Sequence, residues 1–425
     1  MLLALFTVVF SLSLVHHVPC LQTNWANDQA RYAKACYSDI PYLYTGRGLS
    51  EGQWPYSDSE GRFAVMEYPV VISYFAYVAA GVTRLDAAGP PVEQRRAAPA
   101  DTVWALPGMS AEVNSYFLVS SVLLFGFGLL AVWFLAGTHR GRPWDALPFV
   151  LSPALLLTGL VNWDLLAVAA VAGALWAWAR GRPLLAGVLV GLGTATKLYP
   201  LFLLGAFLVV AWRERRMTWF GAASGGAAVA WAVVNLPAWL TGFDQWKVFW
   251  SFNADRGADL GSVWLALTHA GREFTPDRIN VVSWAVFGAL CVAVAVLGLR
   301  ARRTPRVAQL AFLVVAGFLL VNKVYSPQYV LWLLPLAVMA RPRWRDLLIW
   351  QAGELVYLLG VWTYLGGWLE EAAGGGAPAY DLAIWVRVAA QLYLMAVVVR
   401  DVLRPEHDPV RDPQPELPDM ARTIS

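Results

Sequence analysis

The sequence predicts an all-α fold, a polytopic transmembrane helical bundle of about twelve spans with juxtamembrane helices in its first outer loop. Three observations carry this. Of the 425 residues 58% are hydrophobic and only 14% are charged, against about 25% charged in an ordinary soluble domain. The mean hydropathy is +0.51. Apolar runs recur from end to end, many of about 17–22 residues, long enough to cross a hydrocarbon core about 30 Å thick as helices. The alternating pattern of a membrane barrel is absent, and a helix is then the form that satisfies its own backbone in lipid.

In chain order the apolar runs are 2–18, 116–135, 146–160, 165–178, 184–195, 201–212, 219–236, 281–299, 307–321, 330–339, 347–364 and 382–399. The first lacks a basic n-region and the small residues of a cleavage site, so it reads as a retained span rather than a signal peptide. Basic residues cluster at Arg140 and Arg142, Arg180 and Arg182, Arg213 to Arg216, Arg300 to Arg306, Arg341 to Arg345, and Arg400 and Arg404. Every second junction is basic. The positive-inside rule assigns those junctions to the cytoplasm. Outside it then leaves the loops 19–115 and 237–280, the junctions at Asn162 and Lys197, the turn 322–328 and the loop 366–380, with both termini cytoplasmic.

Residues 64–82 are apolar enough to span, but a span there would invert the charge pattern after 212, 299 and 339. They read as an interfacial or re-entrant helix opened by Pro69. The stretch 184–212, interrupted by Gly191, Gly193 and Pro200, reads as two short helices meeting at the outer face. One kinked helix is the alternative. Residues 1–404 form one membrane domain, and the Pro- and acid-rich tail 405–425 reads as disordered.

The net charge is +3, and no basic run is interleaved with aromatics, which sets nucleic acid aside. Three cysteines without Cys/His clusters give no metal site. Cys291 lies in an apolar run and reads as packing. Cys20 and Cys36 flank the start of the first outer loop, where a disulfide is chemically allowed. The skew toward Ala, Gly, Arg, Pro and Trp favours a bacterial source and hence a bacterial plasma membrane.

Polar residues able to act on a substrate fall on the outer side. A secondary transporter would instead place ionisable groups near the midplane on broken helices. Asp28, soon after the first span, reads either as a general base for a hydroxyl or as a helix N-cap. Asp39, before Pro41 and a Tyr-rich stretch, reads as a second candidate base or a turn residue. Glu67 and Tyr68 precede Pro69; Glu67 either caps the interfacial helix or lines an acceptor site. Lys197, Lys323 and Arg256, with Gln328 beside Lys323, could together neutralise a lipid phosphate. For each lysine the alternative is snorkelling to the interface. Asp164 sits at an outer junction. Glu354 and Arg387 lie inside apolar runs and read as a structural ion pair between the last two spans.

At these residues the chain resembles the polyprenyl-phosphate-mannose-dependent mannosyltransferases of glycosyltransferase family 87, within the GT-C superfamily. The carriers are Asp28 to Tyr32 after the first span, Glu67-Tyr68-Pro69, Lys197-Leu198-Tyr199-Pro200, and Ser326-Pro327-Gln328-Tyr329-Val330-Leu331-Trp332 with Pro335 beyond. Val70 stands where many members carry a second proline. The resemblance implies a GT-C fold with catalytic residues in outer loops and juxtamembrane helices under the first. It implies a polyprenyl-phosphate sugar donor, a glycolipid or glycan acceptor, no cofactor, and Asp28 at the position of the catalytic aspartate. The absence of a Rossmann-type glycine loop agrees with a donor that is not a nucleotide sugar. The rival readings are a secondary transporter or lipid flippase, and a scaffold for envelope synthesis.

Overall fold

In a computed structural model, residues 1–86, 88–369 and 377–411 are described, with every side chain among them except that of Asp28. The described residues are helical throughout, with no strand. Among the described residues five helices are long and apolar enough to cross a membrane by length and composition: Leu2–Gln22, Met109–Thr138, Met217–Thr241, Pro276–Arg300 and Pro378–Leu403. Shorter apolar helices, Leu165–Ala179, Pro183–Thr194, Tyr199–Arg213, Val307–Val321 and Pro327–Ala340, pack among them with Trp344–Leu365. Those at Leu165–Ala179, Val307–Val321 and Val330–Ala340 are buried on nearly every face. Hydrophobic all round, they fill the centre of the bundle.

Each expected apolar run coincides with a helix except 146–160. There Pro148 and Pro153 split the chain into Leu147–Val150 and Pro153–Thr158, the second capped by Ser152, which accepts from Leu155 N–H. A proline donates no amide and clashes with the preceding turn, so an apolar run with two of them does not stay one helix.

The break at Lys197 is a true reversal. Gly187 and Gly191 lie so close to Ala223 and Ala227 that an added Cβ would sit 1.9 and 2.3 Å from those residues' carbonyl oxygens. Small residues four apart let two helices approach backbone to backbone. The matching order, 187 with 223 and 191 with 227, means that the two helices run parallel. The helix Leu203–Arg213, which follows the first in the chain and precedes the second, therefore runs in the opposite direction, and a single kinked helix over 184–212 is excluded.

The first long loop folds as a cap. Residues 64–82 give a helix at Val70–Thr83, 14 residues or about 21 Å long, which is not among the helices long and apolar enough to cross a membrane. It packs on Met109–Thr138, to which the loop is pinned by one buried carboxylate. Glu112 accepts from Arg95 at 2.6 and 2.7 Å, from Tyr44 and from the Gly89 amide. A disulfide joins Cys20 to Cys36, closing the segment that contains the helix Asp28–Ala33. Free Cys291 lies within Pro276–Arg300.

The tail is ordered further than expected. Pro405–His407 forms a turn, and buried Asp408 pairs with Arg306 at 2.8 Å. Apolar composition is not needed where one carboxylate meets a guanidinium inside the bundle. Residues 412–425 of the expected disordered tail, and 370–376 of the last outer loop, lie outside the described residues.

Candidate active site

Three chain reversals meet at one end of the bundle: 161–164 before the helix Leu165–Ala179, 195–200 around Lys197, and 322–329 after the helix Val307–Val321. The arginine clusters sit at the other ends of these helices. Between the reversals and the first loop lies a cavity of about 680 Å³, within the size range of small-molecule sites. Asp39, Glu67, Tyr68, Lys197, Arg256, Lys323 and Gln328 all line it. The sequence spread these residues over 290 positions, and packing gathers them in one chamber.

Asp39 is fixed by its neighbours on both sides. Its backbone N–H donates to Val161 O at 2.8 Å, and Ser38 Oγ donates to Leu160 O at 2.7 Å, which latches the first loop to the 161–164 reversal. Tyr37 Oη donates to one carboxylate oxygen and Asn162 Nδ2 to the other, each at 2.8 Å. Burial pushes the Asp39 carboxyl above the usual aspartate range, against the pull of Asn162, Tyr37 and Lys197. Burial, reinforced by the Asp39 charge, pushes the Tyr37 phenol up as well, so it stays a proton-bearing donor. Among the described residues no cation pairs directly with Asp39.

Asp28 opens the helix Asp28–Ala33, whose N-cap is Asn27, accepting from Ala30 N–H at 2.9 Å. The capping role thus falls to Asn27. The Asp28 side chain lies outside the described residues.

Glu67 does not cap the helix after Pro69. Arg47 grips it through Nε and Nη2 of its guanidinium, at 2.8 to 3.1 Å, because the first loop folds back over the Glu67 segment. Tyr68 receives a hydrogen bond from Asn162, the residue that also holds Asp39, and burial raises its phenol. Lys197 is buried: its ammonium lies 4.9 Å from the centre of the Tyr68 ring and 3.5 Å from Asp164. It does not snorkel.

Across the cavity, two backbone hydrogen bonds bring the remaining cations together. Asp259 N–H donates to Lys323 O at 2.9 Å, and Tyr325 N–H to Leu260 O at 2.7 Å. Gly261 follows at φ 70°, where a Cβ would stand 2.1 Å from Tyr357 Oη, so this position requires glycine. Arg256 pairs with Asp259 at 2.6 Å. Lys323 donates to neutral partners, Asn280 Oδ1 at 2.6 Å and Ala254 O at 3.1 Å, and no carboxylate pairs with it among the described residues. Burial and the nearby Arg256 charge lower its ammonium below the usual lysine range. Gln328 Oε1 is buried without a partner. The wall beside Lys323 is apolar, made of Phe249, Phe252, Trp284, Phe287 and Phe318.

The expected ion pair between Glu354 and Arg387 is absent, because Tyr325 comes between them. Tyr325 Oη donates to Glu354 at 2.9 Å, while its ring lies 3.7 Å under the Arg387 guanidinium. Arg387 donates instead to Gln391 and to Gly261 O. Glu354, through Tyr325, and Arg387, through Gly261, thus fix the turn and loop that carry Lys323 and Arg256. Sequence reading also missed the partners of Asp39: Tyr37 and Asn162 look like any polar residue beside an apolar run, and only the latch between distant segments gives them a role.

The family model for glycosyltransferase family 87 matches residues 101–322, more than half of the chain. The matched span contains Asn162, Asp164, Lys197 and Arg256 and stops before Lys323; Asp39 lies ahead of it. No curated protein matches the chain.

Proposed function

The chain belongs to glycosyltransferase family 87 and is a membrane glycosyltransferase, and from that premise we propose a donor, an acceptor and a base. The donor is a polyprenyl-phosphate sugar, mannose by family resemblance. The acceptor is a hydroxyl of a cell-envelope glycolipid or glycan. Asp39 is the base, and the cavity opens to the extracytoplasmic face of a bacterial plasma membrane.

One observation carries this reading. One cavity joins a carboxylate that takes neutral donors to a lysine that, among the described residues, has no carboxylate partner, beside an aromatic wall. A lipid phosphate needs both cation and wall; a nucleotide would need no such wall. Lys323 and Arg256 take the phosphate, with Gln328 lining the same cavity, and the isoprenoid chain leaves along Phe249, Trp284 and Phe318. The acceptor oxygen, losing its proton to Asp39, forms a bond to the anomeric carbon. The bond from that carbon to the phosphate oxygen breaks, and its electron pair leaves on the phosphate, which needs no acid because the cations hold its charge. One displacement inverts the anomeric carbon. The arginine clusters at the far end of the bundle support the outward orientation.

The test is transfer of radiolabelled sugar from a panel of synthetic polyprenyl-phosphate sugars into lipid acceptors, using membranes with wild type, Asp39→Asn or Asp28→Asn at equal expression. Loss confined to Asp39→Asn supports the base. Loss confined to Asp28→Asn moves the role to Asp28, and a product with retained configuration rules out single displacement.

A further inference from the structure

Asp164 has no place in the mechanism above, yet its carboxylate is fully buried. It stands at the N-cap of Leu165–Ala179 and makes no capping hydrogen bond. One oxygen receives the Trp332 indole N–H at 2.6 Å and faces the Lys197 ammonium at 3.5 Å; the other has no partner. A buried ion pair kept for stability needs close geometry and satisfied lone pairs, and this one has neither. Lys197 lines the cavity, while Asp164 stands behind it, outside the lining.

We propose that Asp164 is a positioning residue of the transfer reaction, tethering the Lys197 ammonium against the Tyr68 ring at the end of the cavity occupied by Asp39. The inference rests on Asp39 being the base. Trp332 anchors the tether, Lys197 is its moving part, and Asn162 links Tyr68 to Asp39 through hydrogen bonds of 3.0 and 2.8 Å. The groups acting on Asp39 are then Tyr37 from its own loop, Asn162 and Asp164 from one reversal and Lys197 from the next, while Tyr68, before Pro69, feels the charges of both Asp39 and Glu67, and Glu67 is paired with Arg47 at the end of the helix Ile40–Gly46. The lysine favours the ionised base and Asp164 opposes it, so the two have opposite signs at Asp39.

The experiment is the pH dependence of kcat for sugar transfer by wild type, Asp164→Asn, Asp164→Glu, Lys197→Gln and Asp39→Asn, each in membranes with a synthetic polyprenyl-phosphate sugar. Loss of a like charge should move the acid limb of Asp164→Asn down by about half a pH unit or more, and loss of the opposite charge should move that of Lys197→Gln up by a similar amount. Asp164→Asn should also lower kcat about tenfold at neutral pH, since a displaced charged group weakens preorganisation, while Asp164→Glu keeps the limb of wild type. Activity lost without movement of either limb would make the pair merely structural and overturn the inference. If Asp164→Asn fails to accumulate, Lys197→Gln decides: an unmoved limb overturns the tether. Transfer retained by Asp39→Asn would instead overturn the base assignment itself, whatever the other limbs do.

Discussion

The two ends of the bundle contain the same kinds of residue and use them differently. At the arginine end Arg341 joins Asp346 and Asp401, and Arg306 joins Asp408. These carboxylates are buried and each meets a guanidinium. At the cavity end Asp39 is held by a phenol and an amide, Lys323 by an amide and a carbonyl, and one oxygen of Asp164 by nothing. At one end each buried carboxylate is compensated by a guanidinium, whereas at the other, beside the pairs Arg256–Asp259 and Arg47–Glu67, Asp39 and Lys323 are held by neutral partners. A buried ion pair alone therefore marks neither function nor stability; what distinguishes the site is charge held in place by neutral partners.

The comparison can be broken by substitution at either end. The largest effect is expected for Asp39→Asn, which should lower kcat by about 10²- to 10⁴-fold, as removal of a general base does, with little change in melting temperature. At the other end Arg341→Met should lower stability by about 3–5 kcal/mol, because it takes the buried guanidinium from Asp346 and Asp401 and leaves them only the more exposed Arg345 and Arg400. The folded fraction should keep its kcat, measured by thermal melting and transfer on the same preparation; a fall in kcat would mean that the ends are coupled. Cys20→Ser with Cys36→Ser should cost about 3 kcal/mol, the value for closing a loop of this length, read as a lower melting temperature that reductant no longer changes. Lys323→Gln should reduce kcat/KM by about tenfold or more, in line with about 1.5–3 kcal/mol for a hydrogen bond to a charged group, mostly as weaker donor binding. The sign for Lys323 in the wild type follows from its lowered ammonium: donor affinity is full below that value and falls as pH rises through it, earlier than for an ordinary lysine. A titration of donor KM against pH checks this.

Much of the fold was legible. Sequence pattern set the helices, with Gly191, Gly193 and Pro200 marking the reversal at Lys197 and Pro69 opening the helix Val70–Thr83. It failed at 146–160, where apolar composition outweighed two prolines, and at Pro405–Asp408, where polar composition concealed a buried ion pair. The residues that line the cavity were legible as candidates, with Asp28 outside the described side chains. Their partners were not: of the two readings of Glu67 the helix cap gives way to Arg47, and Arg387, expected beside Glu354, meets Tyr325 and Gly261.

The sequence by itself determined the solvent, the helices, and which helix ends gather on one side of the bundle, because hydrocarbon demands runs of one length and arginine avoids one face of the membrane. Only the tertiary structure decided which charge meets which. Ion pairs and hydrogen bonds act over about 3 Å between segments more than a hundred residues apart, as Asn162 does with Asp39, and no local pattern along the chain encodes a distance across it.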